Sequence, residues 1–346
     1  MKSMTSSSRK NSLKWGTGVK MSENRLVVTC HHLQRHLEKF RPELESAGIE
    51  AEAPPIPGQQ FMAPQMRELL QNADLVIAGD DFIDRAAIEA GKNNRLKAII
   101  KWGIGTDAID KEAARELGIP VYNTPGVFSD EVAELALSYL LLLARQLHKM
   151  HQSVLDGGWL QIEGRTIKGK TAGVIGLGSI GRGIASRCKA LGMNVLGYDP
   201  YPADPDWLAE NSVRQCAFDE VLQGADYVFL ACNLTEENRH MMDDRAFGKM
   251  RKGASIINVG RGPLIDERAL VRALENGQVA AAGLDVFEEE PLPADSPLRR
   301  FDQCVFGTHS GSNTFEAVDR VNRMTVDIAL HLLTGKELTF PLSRVA

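Results

Sequence analysis

Three residue types that can handle a small anionic substrate recur late in this chain, each just after a short apolar run. The first is Arg261, held between Gly260 and Gly262 in the run Asn258-Val259-Gly260-Arg261-Gly262-Pro263-Leu264-Ile265-Asp266. A guanidinium so placed is exposed and close to the backbone. It can grip a carboxylate through two parallel N–H bonds, or pair with Asp266 for structure. The second is the acid run Glu288-Glu289-Glu290 before Pro291, which also reads as a solvated loop. The third is His309, in Thr308-His309-Ser310-Gly311-Ser312. Imidazole has a reference pKa of ~6.5, which suits proton transfer near neutral pH, although a single histidine after a strand often serves structure. One arginine, one acid and one histidine closing successive strands point to acid–base chemistry on a bound anion.

The element that must position this chemistry begins at Thr171. A buried strand, Ala172 to Ile175, runs into Gly176-Leu177-Gly178-Ser179-Ile180-Gly181. A helix follows to Leu191, and a second strand, Val195 to Tyr198, ends in Asp199. Gly176 allows the tight turn, Gly178 lets the backbone approach a pyrophosphate, and Gly181 lets the helix lie on its strand. The phosphates then meet free N–H groups at the positive helix end. Asp199 lies 18 residues after Gly181, where its carboxylate can accept from both ribose hydroxyls of NAD. A 2′-phosphate would be repelled there, so NAD is expected over NADP.

From Arg25 onward strands and helices alternate. Leu26 to Thr29, Leu75 to Ala78, Leu96 to Lys101 and Pro120 to Tyr122 read as one series of buried strands. Ala172 to Ile175, Val195 to Tyr198, Tyr227 to Cys232, Ser255 to Val259, Ala280 to Val286 and Cys304 to Gly307 read as another. Alternation of this kind implies parallel sheets covered by helices, here two α/β domains. The join is placed at Asn123-Thr124-Pro125-Gly126. Ser129 is read as the N-cap of a long helix reaching His151, with Asp130 and Glu131 in its first turn. The last helix, Asn313 to Leu333, is expected to return to the first domain. The domains expected are a basic tail at 1–21, a discontinuous substrate domain at 22–122 and 310–340, and a nucleotide domain at 123–309.

Composition limits the alternatives. With 346 residues, 43% of them hydrophobic and 25% charged, the chain suits about two globular domains. A net charge of −5 offers no general attraction to nucleic acid or anionic membrane. Five single cysteines (Cys30, Cys188, Cys216, Cys232, Cys304) without a paired framework fit a reducing, cytoplasmic compartment. The most apolar run, Leu135 to Ala144, is short of the ~20 residues that span a bilayer and reads as a buried helix. The apolar faces of Val132 to Leu147 are expected to form a homodimer contact. His31, His32 and His36 could gather a metal if His32 and His36 shared a helix face. No acid or cysteine at ligand spacing joins them, so no metal is expected.

The chain resembles the NAD-dependent D-2-hydroxyacid dehydrogenase family, in its phosphoglycerate dehydrogenase-like branch, over about residues 22 to 340. The resemblance rests on KWGIGTDAID (101–110), NTPGVFSDEVAE (123–134), VIGLGSIG (174–181), GYDP (197–200), NVGRGPLID (258–266), GLDVFEEEP (283–291) and THSGSNTFEA (308–317). It implies a Rossmann NAD-binding domain inserted in a flavodoxin-like substrate domain. It implies Arg261, Glu290 and His309 as the catalytic set, Glu290 because the family's acid directly precedes the proline. Asp285 matches a position near the nicotinamide, and the Gly103-Ile104-Gly105 loop matches a backbone cradle for the substrate carboxylate. Cys232, Val259 and Gly260 are expected beside the cofactor. Lys101 is either a substrate-phosphate contact or an exposed structural lysine. The implied reaction moves hydride between C2 of a 2-hydroxy acid, such as 3-phosphoglycerate, and the nicotinamide. Reduction of glyoxylate or hydroxypyruvate is the nearest alternative, and an NAD-sensing corepressor-like scaffold is a different class on the same fold. The 37 residues after His309 are read as too few for the C-terminal regulatory domain of some relatives.

Overall fold

The computed structural model describes residues 24–346; the expected basic tail at 1–21 lies outside them. Thirteen strands form among the described residues. The first five are β1 (Asn24–Val28), β2 (Ile49–Glu52), β3 (Leu75–Ala78), β4 (Ala98–Lys101) and β5 (Val121–Asn123). The next seven are β6 (Thr171–Ile175), β7 (Asn194–Tyr198), β8 (Val213–Gln215), β9 (Tyr227–Leu230), β10 (Ala254–Asn258), β11 (Val279–Leu284) and β12 (Val305–Phe306). The last is β13 (Ser343–Arg344). They build two sheets, ordered β13-β5-β4-β3-β1-β2 and β12-β11-β10-β9-β6-β7-β8. Every pair is parallel except β13 against β5. The first order is flavodoxin-like and the second is the doubly wound dinucleotide-binding order, which reverses beside β6.

Central strands are buried along their whole length, as in β3, β4, β9 and β10, because helices cover both faces. The sequence reading misses the edges. β2 alternates buried and exposed residues in Ile-Glu-Ala-Glu, and β8 is three residues long. Neither shows an apolar run. β13 lies beyond the expected domain limit at residue 340. It joins the first sheet through backbone pairing of Ser343 with Asn123, so Asn123 also belongs to that sheet rather than to the nucleotide domain.

Local signals set many helix ends. Gly118, at φ 69°, closes the helix Lys111–Leu117. Ser129 is the first helical residue rather than the cap: Phe128 holds the cap position with no side-chain bond. The expected single helix to His151 is two, broken at Gln146, whose φ is 50°. Likewise His32 and His36 do not share a helix. The first helix is His31–Gln34, and His36 caps the next, Leu37–Ser46. The apolar run Leu135–Leu143 is mostly spent inside the chain. Val132, Leu137, Leu140 and Leu143 are buried where the helix Ser129–Arg145 packs on β10, β11 and β12. It therefore leaves little free face for a partner. On this helix Leu141 is exposed, and further exposed apolar residues follow at Leu147, Val154, Leu155, Trp159 and Leu160.

The last helix, Phe315–Thr334, packs back on the first domain, against β4 and the helix His31–Gln34. Its buried Asn322 accepts a hydrogen bond from Trp102 Nε1 at 2.8 Å. The polypeptide thus leaves the first sheet after β5 and returns to it at β13, by way of the helix Phe315–Thr334.

Candidate active site

The glycine loop leaves open space in front of a helix N-terminus. Gly176 has φ 95°, a region that penalises any Cβ, and a Cβ there would also lie 2.8 Å from the Cys232 backbone. A Cβ on Gly181 would fall 1.8 Å from the Gly176 carbonyl oxygen, so the helix Ser179–Ala190 can sit this close only with glycine. Gly178 differs: nothing lies within 4 Å of its Cβ position. That space faces the start of a twelve-residue helix, whose first N–H groups have no partner within the helix. Room, free donors and the helix dipole together fit a pyrophosphate. Asp199 closes β7. Its carboxylate accepts from Leu177 N at 2.8 Å and Tyr201 N at 3.0 Å, which holds it beside the glycine loop. Ile180, Cys232, Val259 and Gly260 all line the adjoining cleft. Burial pushes the Cys232 thiol up to about 11, so it stays protonated.

Arg261 follows β10 on a turn tied by buried Asn258, whose amide donates to Arg261 O and accepts from Gly260 N. A Cβ on Gly262 would lie 1.8 Å from Phe287 O. The arginine turn therefore packs directly on the loop that carries Glu290. The guanidinium does not pair with Asp266, which instead caps the helix Glu267–Glu275 through Ala269 N. Its partner is Asp107 of the other domain, 2.6 Å from Nε. A Cβ on Gly105 would lie 1.7 Å from Arg261 Nη2. Gly103-Ile104-Gly105 and Arg261 are thus brought together from opposite domains.

His309 and Glu290 meet from different strands of the second sheet. His309 Nδ1 lies 2.7 Å from Glu290 Oε2, and Glu290 Oε1 accepts from Phe287 N at 2.9 Å. Glu288 and Glu289 do not take this place; Glu288 bonds Glu267 N and contacts His240. His309 holds φ 54°, costly for a side chain with a Cβ. Asp285 over-determines it. Its carbonyl accepts from His309 N, and its carboxylate from Ser310 N, Gly311 N and the Tyr139 hydroxyl. Tyr139 comes close because β11 carries Gly283, where a Cβ would lie 2.8 Å from Tyr139 Cβ. Asp285 lines the cleft, but its carboxylate is spent on holding the histidine loop. Burial alone would depress the His309 pKa. The Glu290 hydrogen bond and charge, with Asp80 adding, outweigh burial and Arg261, and the net direction is up.

Between the domains lies a cavity of about 310 Å³, lined by residues of both. Arg261, His309, Asp285, Ile104 and Gly105 all face it. Lys101 faces it too, though not as an exposed lysine: it is buried and bonded to Asp80 and the Trp102 carbonyl. Its ammonium holds the Asp80 carboxyl well below the usual carboxylate range. His32 stacks on Trp102 at 4.6 Å. Burial, with Arg35, pushes it down to about 4. His31 instead contacts Gly58 O. Among the described residues no group of three acids, cysteines or histidines gathers as a metal site. Sequence reasoning missed Asp80, Asp107, Trp102, Tyr139, His32 and Arg35 as parts of this neighbourhood. Of these, Asp107 carried a signal, since it stands two residues after Gly105 in a quoted motif. Trp102 stands in the same motif, and the others are gathered by folding within each domain: His32 stacks on Trp102 and Asp80 pairs with Lys101 in the first, and Tyr139 bonds Asp285 in the second.

Residues 137–311 match the family described as D-isomer specific 2-hydroxyacid dehydrogenase, NAD binding domain. A glyoxylate reductase of Korarchaeum cryptofilum is 33% identical over 319 residues, 90% of this chain and 93% of that one. A D-3-phosphoglycerate dehydrogenase of Methanocaldococcus jannaschii is 40% identical over 277 residues, 79% of this chain but 52% of the relative. The chain thus spans about half the length of that relative. D-lactate dehydrogenase from Aquifex aeolicus, solved with NAD and lactic acid, superposes with a TM-score of 0.79 at 25% identity, covering 90% of this chain and 96% of that one. The two-domain fold and the glycine loop define a dinucleotide-dependent oxidoreductase architecture. The chain belongs to the D-isomer-specific 2-hydroxyacid dehydrogenase family, and its second domain is that family's NAD-binding domain.

Proposed function

We propose that this protein interconverts D-2-hydroxy acids and 2-keto acids with NAD, using Arg261, Glu290 and His309. The observation that carries the reading is the 2.7 Å pair of His309 Nδ1 with Glu290 Oε2, facing Arg261 across one cleft. NAD, which Gly176 to Gly181 and Asp199 would hold, would supply the hydride acceptor for C2 and, in reverse, the donor. The protein's own groups do the rest. A carboxylate can only accept, so Glu290 fixes the proton of neutral His309 on Nδ1. Nε2 is then the basic nitrogen and takes the hydroxyl proton of a 2-hydroxy acid. In reduction the imidazolium gives that proton to the C2 oxygen. Arg261 and the Gly103–Gly105 backbone hold the substrate carboxylate, and Arg261 also stabilises charge growing on the C2 oxygen.

Asp199 supports NAD over NADP, because a 2′-phosphate would approach its carboxylate. Asp199→Ala should weaken that preference; equal kcat/KM for both cofactors in the unmodified protein would refute it. A homodimer is proposed through the segment after Gln146. Its helix Leu147–Leu155 has no buried residue, and Trp159 beyond it is 80% exposed. Sedimentation as a monomer at micromolar concentration would refute this. The five cysteines are free, which supports a reducing, cytoplasmic compartment. Among the described residues no helix is long and apolar enough to cross a membrane. The activity itself is tested by following NADH absorbance with a panel of 2-keto and 2-hydroxy acids.

A further inference from the structure

Three cations around the cleft each have their own carboxylate. Arg261 pairs with Asp107 at 2.6 Å, His309 with Glu290 at 2.7 Å, and Lys101 with Asp80 at 3.0 Å. The first two serve the chemistry at C2. The third contacts neither of them, although the Asp80 charge helps to raise the His309 pKa, and it lies close by. Lys101 Nζ is 3.9 Å from the Cβ position of Gly103, beside the loop assigned to the substrate carboxylate. The ammonium donates to Asp80 and to Trp102 O, which leaves one of its three N–H donors. The Asp80 side chain is 56% exposed because it opens onto the cleft. Its neighbour Asp81 turns inward and is consumed by Thr29 Oγ1, Phe61 N and Gly79 N. That anchoring fixes the loop with Asp80 on the cleft side. Asp80 Oδ2 has no hydrogen bond among the described residues.

We propose that Asp80 and Lys101 determine which group the substrate carries on C3, accepting a neutral hydroxyl and discriminating against a phosphate. The inference rests on the dehydrogenase reading above. A C3 hydroxyl donates to Asp80 and accepts from Lys101, so one group answers the free acceptor and the free donor together. A C3 methyl leaves both unanswered as the cleft closes on it. A phosphate dianion meets a lysine already neutralised by its partner, and a carboxylate within a few ångströms. His32 adds no charge near neutral pH, since burial and Arg35 push it down to about 4. Arg35 also lines the cleft and has no ion pair among the described residues, so it is the competing place for an anion.

The test measures initial rates of NADH oxidation with hydroxypyruvate, pyruvate, glyoxylate and 3-phosphohydroxypyruvate. The unmodified protein, Asp80→Asn and Lys101→Gln are compared. In the unmodified protein, kcat/KM for hydroxypyruvate should exceed that for pyruvate and for the phosphorylated acid by about tenfold or more, the scale of one lost charged hydrogen bond. Asp80→Asn frees the lysine charge. It should raise the phosphorylated acid relative to hydroxypyruvate by about tenfold. Lys101→Gln should lose the preference for hydroxypyruvate over pyruvate without gaining the phosphorylated acid. The proposal is overturned if the phosphorylated acid is the best substrate of the unmodified protein, which would point to Arg35. It is also overturned if Asp80→Asn changes all four substrates alike, the mark of a structural role. A protein that binds NADH by fluorescence but reduces none of the four overturns the dehydrogenase reading itself.

Discussion

Replacing Glu290 by glutamine tests the site most sharply, because the two oxygens of this carboxylate do different work. Oε2 takes the His309 Nδ1 proton at 2.7 Å, and Oε1 takes the Phe287 N–H at 2.9 Å. Glutamine has one oxygen for these two donors. If that oxygen stays on Phe287, the amide NH₂ faces Nδ1 and forces the ring proton onto Nε2, which disables the base. If the amide flips, Phe287 N–H loses its acceptor, at a cost of ~1–3 kcal/mol, or about 5- to 150-fold. The charge is lost in either case. A charged hydrogen bond contributes ~1.5–3 kcal/mol against ~1 for a neutral one, so the imidazolium loses support as well. We expect kcat to fall roughly 10²-fold in both directions.

The pH dependence has a definite sign. Glu290 raises the His309 pKa against burial and Arg261. The imidazolium that reduction needs is therefore present below the raised value and lost as pH rises through it. Glu290→Gln removes the main raising causes, so the alkaline limb of reduction should move to lower pH. The oxidation limb should likewise rise at lower pH, to a smaller plateau. The assay is kcat and kcat/KM in both directions across pH, beside an NADH titration by fluorescence. A variant with kcat within about threefold of the unmodified protein, or a limb that moves alkaline, would show that this pairing does not set the proton transfer.

His309→Ala should cut kcat by roughly 10²- to 10⁴-fold while leaving NADH affinity nearly intact, since Gly176 to Gly181 lie on a different loop; near-normal turnover would move the base to Ser310 or a water. Gly178→Ala should fold with an almost unchanged Tm, because its Cβ position is open, yet bind NADH more weakly because the new methyl occupies the pyrophosphate space. Gly181→Ala should instead lower Tm, since its Cβ would lie 1.8 Å from Gly176 O. Equal Tm for the two variants by thermal melting would contradict this reading of the loop.

The sequence by itself determined much of the nucleotide-binding half. Buried parallel strands must be apolar throughout, and a glycine turn under a pyrophosphate admits no side chains at set positions. Both constraints are local, so they are written in consecutive residues from Thr171 to Asp199. The same holds for the order of Arg261, Glu290 and His309 after successive strands. Edge strands escaped because one exposed face lets charged residues alternate, as in Ile49–Glu52. The break at Gln146 escaped because nothing marks a left-handed residue when it is not glycine. Only the tertiary structure decided that Arg261 pairs with Asp107 rather than Asp266; the choice of Glu290 among three glutamates was already implied by its place before Pro291, and the structure adds its contact with His309. It alone turned Asp80 toward the cleft and Asp81 away. Those outcomes depend on distances of a few ångströms between residues up to 154 positions apart. Packing between the domains sets the Arg261–Asp107 distance and packing within each domain sets the others, and no local pattern of residues encodes them.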